Sequence, residues 1–374
     1  MQNIFNIPYF GIDRMYKNHS ANILDCVNKV FESGKVLMGS EIDLFEKEIA
    51  TVCNRKYAIS VGSCTDALFF ALISAGIKPG DEILISSFSF IASVTPILRA
   101  GAVPVFIDID PSNFMMDLNS IEEEITTKTK AIIGVHLFGG LLDIEKLENI
   151  AKKHSLILIE DTAQSIGAEI NSRKAGSMGN ISCISFDPTK IIGAFGNGGV
   201  ILTDNKEYFS TLTKLRYHGK NPETNDFEIL GYNSRIATSQ AAILIYELKI
   251  LSQWIKDRNE IADIYFKELQ NISQLVLPTV SETCKHVFHK FVIQTEKRDE
   301  LKTFLQSKGI QTMIHYDKAL FEHSIFKNYS FKTAELIQIH TIKNKVLSLP
   351  IYPELKEEEI RYICDTIKDY YSKC

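Results

Sequence analysis

No stretch of this chain approaches the run of ~20 uninterrupted apolar residues that a membrane helix needs. No cluster of lysine and arginine forms a basic stripe either, and the net charge is -5. The electrostatic footprint of a nucleic-acid binder is therefore missing. Seven cysteines, at positions 26, 53, 64, 183, 284, 364 and 374, form no Cys-x-x-Cys pair and are odd in number. That pattern argues against a zinc site and against a disulfide framework. The opening residues Met1-Gln2-Asn3-Ile4-Phe5-Asn6-Ile7-Pro8 lack the basic start and apolar core of a secretory signal. A reduced cytoplasmic protein that touches neither membrane nor nucleic acid is expected. A Gly-x-Gly-x-x-Gly motif is also missing: Gly62-Ser63-Cys64 follows the first apolar run, which argues against an NAD(P) oxidoreductase.

What is present is the composition of an ordinary globular protein, 45% hydrophobic and 23% charged over 374 residues, enough for a large core. A length prior of roughly 100 to 200 residues per domain predicts two domains. From about residue 55 to 205, short aliphatic and β-branched runs alternate with helical patterns, as in a mostly parallel sheet covered by helices. Seven strands are predicted: Tyr57 to Val61, Glu82 to Ile85, Val103 to Ile107, Ala131 to Val135, Leu156 to Glu160, Cys183 to Phe186 and Gly199 to Thr203. Helical patterns cover Asp66 to Ala75, Phe90 to Ala100, Ile121 to Ile125 and Ile144 to His154. A long amphipathic stretch, Ser239 to Leu269, then carries the chain out of this unit. The predicted division is a large α/β domain over residues 1–255 and a smaller α+β domain over 256–374. In the latter, strands are expected within Val287 to Gln294 and Thr312 to His315, and helices over Asp299 to Lys308 and Lys356 to Ser372. Ligands of such open sheets bind outside the carboxyl ends of the strands.

Lys190 stands in this region, behind the alternating run Ile181-Ser182-Cys183-Ile184-Ser185-Phe186 and ahead of Gly193-Ala194-Phe195-Gly196-Asn197-Gly198-Gly199. Two readings fit it: a solvated surface cation, or a partly desolvated amine able to attack a carbonyl as a Schiff-base lysine. Asp161 ends the apolar run Ile157-Leu158-Ile159-Glu160. It is either a helix cap or the partner of a protonated heterocyclic nitrogen. Ser63, Cys64 and Thr65 open a helix after a strand; they are ordinary caps or an anion cup. Phe90 is core packing or a face for a flat ring. Together these pieces match what pyridoxal phosphate requires: imine, ring-nitrogen partner, phosphate cup and stacking face.

At this point the chain resembles the DegT/DnrJ/EryC1/StrS sugar aminotransferases, of the aspartate-aminotransferase fold, fold type I. The matching segments run in order through Thr65-Asp66-Ala67-Leu68, Val135-His136-Leu137-Phe138-Gly139, Glu160-Asp161 with Gln164, Ser185 to Gly199, Gly231-Tyr232-Asn233-Ser234-Arg235, and Gly309-Ile310 with His315-Tyr316. The resemblance implies a cofactor, pyridoxal 5'-phosphate, passing through its pyridoxamine form. Lys190 would hold it as a Schiff base and move the proton, Asp161 would pair with the pyridine nitrogen, and Gln164 would reach the ring hydroxyl. Ser185 with Ser63, Cys64 and Thr65 would hold the phosphate, and Phe90 would cover the ring. Asn233 would cross a dimer interface to the neighbouring subunit's phosphate, making a homodimer with shared sites. The implied partners are L-glutamate as amino donor and a nucleotide-linked keto-sugar as acceptor.

Asn197 stands where many members carry Glu, whereas members acting on carbon 3 of dTDP-linked 3-keto-6-deoxyhexoses often carry Asp. The segment Gly309 to Tyr316 also looks like that subset, although Asp317-Lys318-Ala319-Leu320 lacks the usual prolines. The expected product is a dTDP-3-amino-3,6-dideoxyhexose. The alternative is a 4-keto sugar on dTDP or UDP. A lysine-less dehydratase and a non-catalytic sensor are the remaining readings, and Lys190 argues against the first. His136, Asn197, Arg235, His289, His315 and Tyr316 are the candidate substrate contacts. For His136 a packed, hydrogen-bonded ring is the competing reading, and for Arg235 an ion pair bracing the dimer. Arg216 and His218 are expected on a mobile loop beside the site.

Overall fold

The computed structural model describes residues 5–373; residues 1–4 and Cys374 lie outside the described residues. Five strands come first: β1 (Tyr57–Val61), β2 (Glu82–Ser86), β3 (Val103–Ile107), β4 (Thr129–Val135) and β5 (Ile157–Asp161). A small hairpin, β6 (Glu169–Ile170) and β7 (Arg173–Lys174), precedes β8 (Ile181–Ser185) and β9 (Gly199–Thr203). The later chain adds β10 (Cys284–Lys285), β11 (Phe291–Gln294), β12 (Lys332–Thr333) and β13 (Val346–Leu349). Every residue of β2, β8 and β9 is buried. Burial of every residue in a strand is what a sheet covered on both faces produces.

The main sheet has the order β1-β9-β8-β5-β4-β2-β3-β12. All neighbours run parallel except β9, which is antiparallel to both β1 and β8. The predicted seven strands are present, but the sheet has eight. The extra one, β12, pairs Lys332 with Val105 and Thr333 with Phe106. Two residues are too few to leave a periodic signal. An aromatic cluster holds this edge, with Phe326 and Phe331 5.5 and 5.9 Å from the Phe106 ring.

Four predicted elements differ, the first being Ile121 to Ile125, which is a 3-10 turn over Ile121–Glu124. Phe90 to Ala100 is not one helix but a 3-10 turn, Ile91–Ser93, followed by the short helix Thr95–Arg99. Pro96 has no N–H to continue the first turn and suits the start of the second. The strand expected from Val287 begins only at Phe291, because Phe288 takes a left-handed φ of 42° that breaks the extended run. Thr312 to His315 forms a single bridge, Met313 to Ser348, rather than a strand.

The helix Thr238–Leu269 is continuous and contributes to two cores. Ala241, Leu244 and Trp254 belong to the large one around the main sheet. Ile261, Tyr265 and Leu269 belong to a second, built with β11, β13 and the closing helix Glu357–Ser372. Residues 255 and 256 both fall inside this helix. The carboxyl ends of β1, β4, β5 and β8 share one edge of the sheet, and the β11 end of the second core faces it.

Candidate active site

A cavity of about 590 Å³ opens at that edge. All the candidate site residues line it except Asn233 and Arg235. Lys190 follows a tight turn. Its N–H donates to the Asp187 carbonyl at 2.9 Å, and Asp187 Oδ1 accepts from the N–H and hydroxyl of Thr189 at 2.9 and 2.5 Å. Gly193 lets the chain fold back over this turn, since a Cβ there would lie 2.7 Å from the Asp187 carbonyl oxygen. The Lys190 side chain is thus held inside the cavity, not in bulk solvent. Burial lowers its pKa, against the opposing charges of Asp187, Cys64 and Asp161. The solvated-cation reading does not fit this placement.

Asp161 ends β5 as a buried carboxylate. Its Oδ2 accepts from Ser93 Oγ at 2.7 Å and its Oδ1 from the Ala163 N–H at 3.1 Å. The local turn bond expected of a cap is real, yet burial still raises the carboxyl pKa. An acid in this state gains from any cation that enters the cavity. The neighbouring Glu160 faces the other way. It accepts from His136 Nε2 at 3.0 Å, the N–H groups of Gly176 and Met178 at 2.7 and 3.0 Å, and Ser182 Oγ at 2.6 Å. Burial alone would raise its pKa; these four donors outweigh burial and hold it below the usual range.

Ser63 caps the helix Cys64–Ser74, its Oγ accepting from the Asp66 N–H at 3.1 Å. The cap reading therefore holds for this hydroxyl, while Cys64 and Thr65 border the cavity at the same helix start. Strand β9 presses on this turn at Gly199, where a Cβ would lie 2.5 Å from the Ser63 carbonyl carbon and 2.6 Å from the Cys64 nitrogen. Ser185, at the end of β8, completes that side. Phe90 is 53% exposed, its ring centroid 6.2 Å from that of Tyr316, so it is a cavity wall and not core packing.

A helix amino terminus, a buried acid, a desolvated lysine and an exposed aromatic face in one cavity narrow the chemistry, and comparison with known proteins decides the family. The model of the DegT/DnrJ/EryC1/StrS aminotransferase family matches residues 17–368. The chain belongs to this family. Among relatives of this aminotransferase, a pleiotropic regulatory protein of Geobacillus stearothermophilus is 38% identical, covering 98% of this chain and 99% of its own. A UDP-N-acetyl-3-dehydro-alpha-D-glucosamine 3-aminotransferase of Acidithiobacillus ferrooxidans is also 38% identical, over 97% of each. A dTDP-3-amino-3,6-dideoxy-alpha-D-galactopyranose transaminase of Aneurinibacillus thermoaerophilus is 36% identical, over 97% and 99%. The crystal structure of NtdA from Bacillus subtilis with bound cofactor PMP superposes at a TM-score of 0.91 and 31% identity, covering 99% of this chain and 86% of that one.

Within this aminotransferase the other candidates divide. Asn197 is exposed and borders the cavity. His136 is a wall with no nitrogen to spare: Nε2 faces Glu160, and Nδ1 accepts from the Leu142 N–H at 3.1 Å. The packed, hydrogen-bonded ring describes it, and it borders the cavity only as a wall. His289 is also committed, its nitrogens 3.2 Å from Gln164 Oε1 and 3.1 Å from the Thr189 carbonyl oxygen. It ties the Lys190 turn to Gln164. Gln164 Oε1 also accepts from the Phe138 N–H at 3.1 Å, and its Nε2 donates to the Tyr316 hydroxyl at 3.3 Å. His315 bonds Ser348 Oγ through Nδ1 at 2.9 Å and lines the cavity. Burial pushes the pKa of His315 far down and that of Tyr316 up, so both are neutral at ordinary pH.

Asn233 is exposed outside its own cavity, where its Oδ1 accepts from Arg235 Nη2 at 2.9 Å. The Arg235 guanidinium lies 4.5 Å over the Tyr217 ring. Arg216 is corrected: it is buried, not loop-borne beside the site, and pairs with Glu46 while donating to the Ser60 carbonyl at 3.3 Å. Sequence reasoning missed Ser93, Lys290 and Glu247. Nothing local distinguishes Ser93 from its neighbouring serines. Lys290, however, interrupts the otherwise mostly apolar stretch Val287-Phe288-His289-Lys290-Phe291, a local signal that could have found it.

Proposed function

We propose that this protein is a pyridoxal phosphate-dependent aminotransferase that moves an amino group from L-glutamate to a nucleotide-linked keto-sugar. One observation carries the reading: Lys190 and Asp161 line one cavity whose other walls are a helix amino terminus and the exposed face of Phe90. The residues present fit the cofactor. The turn that Gly199 leaves open offers backbone N–H groups of Cys64 and Thr65, with the hydroxyls of Ser63 and Ser185, to a phosphate. Asp161 would pair with the ring nitrogen, and that cation would offset the burial that raises its pKa. Gln164 would stand near the ring hydroxyl and Phe90 against the ring face.

When bound, the cofactor supplies an electron-accepting ring that takes up the pair released when a substrate C–H bond breaks. Lys190 would hold it covalently. Lys190 Nζ would take the proton from the substrate carbon and later return one. Burial favours the neutral amine that this work requires. His289 and Asp187 hold the Thr189 backbone that leads into Lys190. Tyr316, packed against the large core, and His315 wall the cavity.

For the acceptor, a dTDP-linked 3-keto-6-deoxyhexose is the favoured reading, giving a dTDP-3-amino-3,6-dideoxyhexose. Asn197 at the cavity border and the His315-Tyr316 segment support it, as do relatives whose names place the nitrogen on carbon 3. Two cores joined by the helix Thr238–Leu269 support two domains, 1–255 and 256–374, with β12 and residues such as Leu320, Phe326 and Val346 of the second returning to pack on the first. Working as a homodimer, the enzyme would share sites through Asn233, in the cytoplasm. No helix among the described residues is long and apolar enough to cross a membrane.

Purified protein supplied with pyridoxal phosphate is expected to turn yellow and to aminate a 3-keto dTDP-sugar with glutamate, read by product mass and NMR. Lys190→Ala is expected to lose the covalent chromophore and at least ~10³-fold of activity. A wild type that binds no cofactor would overturn the reading; activity confined to 4-keto sugars would overturn only the acceptor.

A further inference from the structure

Lys290 is 5% exposed and lines the same cavity as Lys190. It leads into β11, so the rigid second core fixes its position. Its ammonium has no carboxylate within ion-pair distance among the described residues, and its neighbours are the rings of Tyr9 and Phe10, each centroid 5.6 Å away. The charged groups acting on it are Lys190 and Arg258, which repel it, and Asp187, which attracts it; His289 and His315 feel its charge in turn. Asp187 is already engaged by Thr189. Arg258 is outside this cavity, with Nη1 on the carbonyls of Phe288 and Ile351 at 3.2 and 2.8 Å. Besides Lys190, Lys290 is the one lysine or arginine among the described residues that lines the cavity.

A buried cation without a partner is costly, and burial together with Lys190 pulls its pKa down to about 7. The cost falls when an anion enters. We propose that Lys290 binds the α-carboxylate of the amino donor and so makes this cleft selective for an amino acid. The inference rests on the proposed transamination. The donor's α-carboxylate is bonded to the carbon whose proton Lys190 moves, so it must lie close to Lys190. The sugar's phosphates are separated from a carbon-3 ketone by the ring and are carried farther out. Arg235, the sequence candidate for this role, lies outside its own cavity and would have to reach from a partner subunit.

Binding a carboxylate restores the charged form of Lys290, so above pH 7 the complex takes up a proton. The test uses holoenzyme at pH 8. The first measurement is the half-reaction with L-glutamate followed by the cofactor's absorbance. The second is calorimetry of glutarate, a dicarboxylate without an amine, in two buffers of different ionisation enthalpy. In the wild type, glutarate binding is expected to take up most of one proton. Lys290→Met should raise the half-saturating L-glutamate concentration about ten- to hundredfold and abolish the uptake, with cofactor absorbance retained. Lys290→Arg should recover much of the affinity without proton uptake, because a guanidinium stays charged; a merely structural role would not separate these readouts. Unchanged half-saturation in Lys290→Met overturns the proposal, as does loss confined to Arg235→Met or to acceptors bearing a sugar carboxylate. A wild type that does not react with L-glutamate at all overturns the donor reading on which this one stands, and is distinguished by that failure.

Discussion

One lysine follows a buried strand and another leads into one, and the fold brings both to one cavity. The first stood out because glycines and a strand flank it; the second, though it interrupts an apolar stretch, was absorbed into the strand expected from Val287, since nothing in the sequence marks the left-handed Phe288 that delays that strand. A third buried titratable group is Glu247, on the long helix beneath the glycine-rich loop. Its Oε2 accepts from the Gly193 N–H at 2.9 Å, and its Oε1 has no partner among the described residues. Burial raises its pKa from 4.5 to about 8, against the Gly193 hydrogen bond. The folded protein therefore keeps a proton that the unfolded chain releases. Stability from this group is complete below about pH 4.5 and falls until about pH 8, by roughly 1.4 kcal/mol per pH unit in between. Glu247→Gln keeps an acceptor for Gly193 and removes the titration. Urea unfolding at pH 5.5 and 7.5 should show the variant gaining on the wild type as pH rises; a constant difference would mean that Glu247 is ionised in the fold.

Elements were legible in proportion to how long and how apolar they are. The seven strands of the predicted sheet stood out as largely aliphatic runs, whereas β12 has two exposed residues and is held because the adjacent Phe326 and Phe331 pack on Phe106, far away in the chain. Phe90 to Ala100 misled because apolar spacing continues across Pro96 while the hydrogen-bond ladder does not. The contact of β9 with the helix start at Ser63 was equally invisible, being a match between segments more than a hundred residues apart. That contact yields a prediction. In Gly199→Ala the new methyl would meet backbone atoms of Ser63 and Cys64 at 2.5 and 2.6 Å, which cannot rotate away. The helix start must shift, at about 1–3 kcal/mol of stability. Titration of the apoenzyme with pyridoxal phosphate should show affinity weakened at least ~10-fold, alongside a lowered Tm. Unchanged affinity with a lowered Tm would mean that this helix start is not the phosphate cup.

On the scale of the whole molecule, one chain leaves two site candidates stranded. Asn233 and Arg235 bond each other on an exposed segment, next to a turn where Leu230 is 84% exposed and Phe227 64%. Apolar side chains gathered at such a position mark a surface that another molecule covers. In a two-fold dimer each subunit presents the same patch to the other, so Asn233 of one chain would complete the phosphate cup of its partner. Mixing decides between this and a role within one chain. A heterodimer of Lys190→Ala with Asn233→Ala has one site carrying both lesions and one site carrying neither, if Asn233 acts across the interface. Random exchange of equal amounts makes half the dimers mixed, and activity should recover to roughly a quarter of wild type. If Asn233 serves its own chain, each site of the heterodimer keeps one lesion, and mixing restores nothing beyond the average of the two parents.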